Sequence, residues 1–295
     1  MAHAAAPATR SRTRASIEER AFAFPKTTVQ QTPMRRVLVL AAAAAPIFLA
    51  PTAAASGNKS APPETVEIKT NDGVKLAASF YKPSERAPAV LVLHDAGGNR
   101  TQVQPLAERL QKQGFGVLTV DLRGHGSSKT DKLDWEKLSE DDKKSTWSFA
   151  PRDVSAAADW VLEQENIHST SLSIVGVGSG CALAVRHAKS DENVVSLALL
   201  APHTQDYGFD VRADIQALAG LPTFLLASKD DEAERMAIAA NTSSANPFVE
   251  IALAPARSTS VLEDKKLPAR VAAWMGEKAL PKKGNEKALP KKGKK

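Results

Sequence analysis

The sequence predicts an α/β fold: a mainly parallel sheet of about eight strands covered by helices on both faces. Three observations predict it. Short, almost continuous apolar runs recur, as strands buried on both faces require; segments of helical period lie between them; and the two alternate from about Thr65 to Met275. Val66 to Lys69, an Asn71-Asp72-Gly73 turn and Val74 to Tyr81 read as a hairpin. The buried runs are Ala89 to His94, Gly116 to Asp121, Leu172 to Gly176, Val194 to Ala201, Thr223 to Ser228 and Val249 to Ala254. Helices are expected over Val103 to Gln113, Pro151 to Glu165, Gly180 to Lys189, Val211 to Leu218, Glu232 to Ala240 and Val261 to Met275.

Composition narrows the function classes. With 295 residues, 43% apolar, 24% charged and one cysteine, the chain can bury a sizeable core and cannot form an intrachain disulfide. The formal charge of +6 suggests nucleic-acid binding until it is divided along the chain. Residues 1–36 hold seven Arg/Lys and two Glu, residues 277–295 hold eight Lys and two Glu, and the middle is therefore net acidic. The basic balance belongs to two tails, and no specific nucleic-acid partner is expected of the body.

The ends read separately. Residues 1–33 form an extension rich in Ala, Arg and Thr, disordered or preceding a true start at Met34. Residues 34–56 follow signal-peptide grammar: Met34-Arg35-Arg36, an apolar run from Val37, then small residues up to Ser56. Export to the periplasm or exterior is the expectation, with a membrane anchor through residues 37–55 as the alternative. Glu-Lys-Ala-Leu-Pro-Lys-Lys-Gly occurs twice within 277–295, a solvated, disordered tail suited to touching anionic surfaces. The body is thus expected at 65–276, with a short insertion at 129–148.

In such sheets chemistry gathers at the carboxyl ends of the strands. After the third strand comes His94-Asp95-Ala96-Gly97-Gly98-Asn99, and after the fourth Asp121-Leu122-Arg123-Gly124-His125-Gly126-Ser127-Ser128. The next ends in Gly176-Val177-Gly178-Ser179-Gly180, and a later one in Asp230-Asp231. On these segments and the order of elements the chain resembles the α/β-hydrolase family, specifically its serine aminopeptidase and monoacylglycerol-lipase-like branch. The resemblance implies that His94, Asp95, Ala96, Gly97 and Gly98 form an oxyanion-type loop. It also implies a nucleophile at the centre of G-x-S-x-G, a carboxylate after the later strand and a histidine after the last.

The residues depart from that pattern. A gapless reading puts Gly178 at the nucleophile position, between Gly176 and Gly180, so no side chain is there to attack. Ser179 is the fallback nucleophile, rotated by about 100° around the helix start, where its plainer role is bonding local backbone. Cys181 falls inside the helix as a small buried residue. Asp231, with Asp230 as the register alternative, matches the acid. Arg257 falls at the histidine position, and it stays protonated and cannot take a serine proton. Paired with Asp231 it would form a structural ion pair; unpaired, it could hold a carboxylate or phosphate.

No histidine follows the acid. His94 and His125 are expected to shape their loops, His168 and His187 to be structural, and His203 is the best outsider at the reactive edge. No two histidines and a carboxylate have metal-ligand spacing and no CxxC occurs, so neither metal nor cofactor is expected. The leading expectation is an exported, degenerate hydrolase fold, a pseudoenzyme with a binding or scaffold role that takes a small molecule at Arg257 and Asp231, an anion where the arginine stands unpaired. The alternative is an active serine hydrolase, esterase- or lipase-like, using Ser179.

Overall fold

The structure, a computed structural model, describes residues 61–203, 205–216, 218, 220–228, 249–254 and 261–279. The readings for residues 1–33 and 34–56, the helix at Glu232 to Ala240, Asp230, Asp231, Arg257 and the tail beyond residue 279 lie outside them. The main sheet has eight strands: β1 (Glu64–Lys69), β2 (Lys75–Tyr81), β3 (Ala87–Leu93), β4 (Gly116–Val120), β5 (Ile167–Val177), β6 (Val194–Leu200), β9 (Thr223–Ser228) and β10 (Val249–Ala254). They lie in the order β1-β2-β4-β3-β5-β6-β9-β10. Pairing is antiparallel at β1–β2 and β2–β4 and parallel elsewhere. A separate two-stranded ribbon, β7 (Gln205–Asp206) and β8 (Phe209–Asp210), follows β6 and has no counterpart in the sequence reading.

The continuous apolar runs are explained by burial on both faces. Along β3, Leu91 and Leu93 point into one core while Val90 and Val92 point into the other, the two-residue period of a strand. The first core is closed by α2 (Glu140–Leu162), α3 (Gly180–Ala188) and α4 (Val211–Gln216), the second by α1 (Gln104–Lys112) and α5 (Leu267–Lys278).

Some boundaries move for identifiable reasons. Pro151, read as a helix start, lies inside α2. The helix begins at Glu140 because the Ser139 hydroxyl accepts the Asp142 N–H at 3.2 Å, and Glu140, Asp141 and Asp142 complement the amino-terminal dipole. The second half of the 129–148 segment forms the opening of α2. The last helix starts at Leu267, not Val261, and its final turn absorbs Glu277 and Lys278, which were assigned to the tail.

Buried polar groups fix the loops at the carboxyl edge. Arg123 donates to both oxygens of the fully buried Asp153 on α2, and to Asp72 in the first hairpin turn. The bidentate fork ties three separate elements together. His94 donates from Nδ1 to the Asp95 carbonyl (2.7 Å) and accepts the Leu122 N–H at Nε2 (3.0 Å). His125 donates from Nδ1 to the Arg123 carbonyl (2.9 Å) and accepts the Gly97 N–H at Nε2 (3.1 Å). Each ring is thus a neutral staple between the loops after β3 and β4, and both have the loop-shaping role expected of them.

Burial holds both imidazoles below their ordinary value, and for His125, with the neighbouring His94 as the second cause, the pKa falls to about 3. A depressed histidine contributes stability in full above its unfolded value of 6.5, and that contribution is lost as pH falls toward 3. His125→Gln, which keeps an acceptor for Gly97, should flatten the stability profile between pH 6 and 4 by up to about 1.4 kcal/mol per pH unit in urea denaturation. Parallel profiles for the two proteins would show that His125 does not titrate with unfolding.

Candidate functional site

The site forms where β3, β5 and β6 deliver their loops. After β5 the chain turns sharply through Gly178, at φ +53°, and enters α3 at Gly180. The turn is held by the Gly178 N–H donating to the Leu200 carbonyl (2.9 Å) and by the Cys181 N–H donating to the Gly178 carbonyl (3.0 Å). A left-handed φ disfavours any side chain, and here the Asp95 carboxylate would have to move to admit one. A Cβ on Gly178 would stand 2.3 Å from the Asp95 carboxylate carbon.

Asp95 is the centre of the arrangement. Its Oδ1 accepts the Ser179 N–H at 2.8 Å and the Ala96 N–H at 2.9 Å. One amide comes from the start of α3 and the other from the loop after β3, a converging donor pair of the kind that stabilises an oxyanion in acyl transfer. In this protein the pair is engaged by the chain's own carboxylate, which also fills the volume above Gly178. The sequence reading placed Asp95 in the oxyanion-type loop but did not foresee its side chain turning back onto the loop's own amides.

Ser179 is buried, and its hydroxyl donates not to local backbone, as expected, but to Asp206 Oδ2 in the β7–β8 ribbon. The hydroxyl's partner is therefore a carboxylate. Burial raises the Asp206 pKa, while the Ser179 hydrogen bond and nearby His203 oppose that rise. Cys181 is fully buried, its thiol directed at the Leu200 carbonyl and pushed well above its ordinary pKa by desolvation, so it is chemically quiet.

A carboxylate oxygen of Asp95, one of Asp206 and an imidazole nitrogen of His203 all lie within 4.8 Å of one another. The sequence reading considered pairs of histidines with a carboxylate; this cluster has one histidine and two carboxylates, a combination outside that reading. Residues 95, 203 and 206 come from two loops far apart in the chain, so local spacing carried no trace of the cluster. Asp206 carried one usable signal, its place shortly after a parallel strand.

Backbone geometry sets these groups in place. Ala201 and Tyr207 are the only non-glycine residues with positive φ among the described residues, and they bracket His203 and Asp206. Tyr207 and Gly208 form the two-residue connection of the ribbon, where paired positive φ values match the twist of the strands. The unusual conformation of Tyr207 is held by packing: its ring meets Trp135 and Trp147 at centroid distances of 5.2 and 5.6 Å. Trp135 in turn lies 4.5 Å from the His125 ring. An aromatic layer missing from the sequence reading thereby connects the histidine staples to Asp206.

The overlap of Asp95 with the space above Gly178 predicts strong coupling. Gly178→Ser should destabilise the protein by about 2–5 kcal/mol, from the left-handed backbone and overpacking together. In an Asp95→Gly background the overpacking part should vanish, leaving about 1–2 kcal/mol. A double-mutant cycle by urea denaturation measures the difference, and equal costs in both backgrounds would refute the overlap.

The chain spans about two-fifths of the length of the relatives it matches. A protein of Mycobacterium tuberculosis described as uncharacterized is 28% identical over 122 residues, 41% of this chain and 39% of that protein. A thiohydrolase of Aspergillus aculeatus is 28% identical over 141 residues, 46% of this chain and 41% of its own length. Among solved structures, an esterase of Pyrococcus furiosus superposes with a TM-score of 0.60 at 18% identity, covering 74% of this chain and 90% of that one. The dienelactone hydrolase of Anabaena variabilis gives 0.57 at 19% identity, covering 74% and 97%. These structures share the α/β-hydrolase fold. The model of the dienelactone hydrolase family matches residues 76–245, more than half of the chain and the whole stretch from β2 through the loops that carry Asp95, Gly178 and Asp206; the chain belongs to the dienelactone hydrolase family.

Proposed function

We propose that this protein is an exported member of its family that has given up serine hydrolysis and uses the strand-end site for binding. The observation that carries the proposal is the Asp95 carboxylate. It accepts both converging amides and occupies the space in which a nucleophile on residue 178 would stand. A tetrahedral intermediate would need those same two donors, and its oxyanion would have to displace a charge already fixed there. In this reading Gly178 and Asp95 are complementary changes: the missing side chain leaves room for the carboxylate.

One further triad position favours the same reading on sequence grounds: Arg257 stands where the resemblance calls for a base, while Asp231 keeps the acid. Export is supported by the pattern of residues 34–56; with a single cysteine, no intrachain disulfide can form and the exported body relies on its core.

A second reading, hydrolysis through Ser179, has one observation in its favour. The Ser179 hydroxyl donates to Asp206, whose raised pKa makes it a stronger base than an exposed carboxylate. Against it, the Ser179 N–H is committed to Asp95 and the hydroxyl lies beneath the surface, at 3% residue exposure.

A fluorophosphonate probe with the intact protein separates the two. The expected result is no adduct, and hydrolysis of p-nitrophenyl acetate no faster than by Ser179→Ala. An adduct on Ser179, abolished by Ser179→Ala, would overturn the proposal and establish a serine hydrolase. For export, the protein recovered outside the cytoplasm should begin close after Ser56, as N-terminal sequencing reads; a cytoplasmic chain retaining residues 34–56 would contradict it.

A further inference from the structure

We propose that Asp95, His203 and Asp206 together form a binding site for a first-row divalent transition-metal cation, of which Zn²⁺ and Mn²⁺ are examples. The inference rests on the binding reading above and names what the site binds.

The donor set is the first argument. Two carboxylate oxygens and one imidazole nitrogen converge within 4.8 Å of one another. Metal bonds of about 2.0–2.2 Å set neighbouring ligand atoms about 3–3.5 Å apart, so small side-chain rotations complete the cage. Three protein ligands on one side leave the remaining positions for water or a further ligand. The imidazole selects against Ca²⁺ and Mg²⁺, which take oxygen ligands, and in favour of Zn²⁺, Mn²⁺ or Co²⁺.

The way each ligand is held is the second. Asp95 is oriented through Oδ1 by the Ala96 and Ser179 amides, and Asp206 by the Ser179 hydroxyl. Metal-bound carboxylates are usually fixed by such outer hydrogen bonds, which here come from backbone and a buried serine. Ser179 on this view is a positioning residue, which accounts for a buried hydroxyl that points at a carboxylate.

The route to the site is the third. A cavity of about 620 Å³ opens between the start of α2 and the β7–β8 ribbon, and Asp206 is part of its wall. Glu140, Asp141 and Asp210 also line it, against the single Lys144. An acidic mouth of this kind raises the local concentration of cations. The cavity and the cluster share Asp206, so the acidic mouth adjoins one of the three ligands.

The test uses the untagged, metal-stripped full chain. Titration with Co²⁺ should give visible d–d absorption saturating at one equivalent, and Zn²⁺ should displace it and raise the melting temperature. His203→Gln and Asp206→Asn should each abolish the spectrum and the metal-dependent rise while melting close to the parent in EDTA. Ser179→Ala should keep the spectrum and weaken affinity roughly 10–100-fold, as loss of an outer-sphere partner does. No spectrum, binding unchanged in His203→Gln and Asp206→Asn, or equal displacement by Ca²⁺ would each overturn the site. An active-serine result with the fluorophosphonate probe would remove the non-hydrolytic reading and leave the metal titration to stand by itself. An absent spectrum in a probe-resistant protein would remove the metal and leave that reading intact.

Discussion

Two backbone N–H groups that converge on one point in a buried turn must have an acceptor, because an orphaned donor there costs on the order of 1–3 kcal/mol. A hydrolase leaves that place to water and then to its reaction intermediate. Here the Asp95 carboxylate takes it, with Oδ1 bound by Ala96 and Ser179. Much of the neighbouring geometry follows from this arrangement. A side chain at residue 178 would displace the carboxylate, because its Cβ would lie 2.3 Å from the Asp95 carboxylate carbon. Ser179 is fixed through its amide, so its hydroxyl turns toward the next loop and meets Asp206.

The arrangement is stiff because its supports are buried and interlocked. His94 and His125 each donate from one nitrogen and accept at the other, so neither ring can rotate without breaking two hydrogen bonds. Burial keeps both neutral, which is the state this pattern requires. The aromatic rings of Trp135, Trp147 and Tyr207 then carry the same rigidity to the ribbon. A strained tyrosine backbone persists there because its side chain is over-determined by packing.

Membership of the dienelactone hydrolase family fixes the scaffold and the location of the site, and function is decided by which atoms stand at that location. A sheet of this kind presents its loops at one edge whatever chemistry they hold. In the reading proposed for this protein, glycine at residue 178 takes away an attacking hydroxyl while the turn, its amides and the flanking strands stay in place. In the proposals made above, that edge passes from bond breaking to holding a cation, with the former oxyanion donors now orienting a carboxylate ligand.

The amino-acid order by itself determined the alternation of strands and helices, since burial on two faces demands continuous apolar runs and one-sided burial demands a helical period. It also revealed the turn after β5, the absence of a side chain at Gly178 and the absence of any histidine after Asp231, because these are statements about single positions. It misplaced the start of α2 at Pro151, because a proline usually marks a first turn and this one lies inside the helix, and it missed the β7–β8 ribbon, whose strands are two residues long and have no readable period. Only the tertiary structure decided that Asp95 folds back onto its own amides, that Ser179 meets Asp206, and that His203 joins two carboxylates. Those contacts join residues up to 111 positions apart in the chain, and such proximity is created by the crossing of parallel strands rather than by any local spacing.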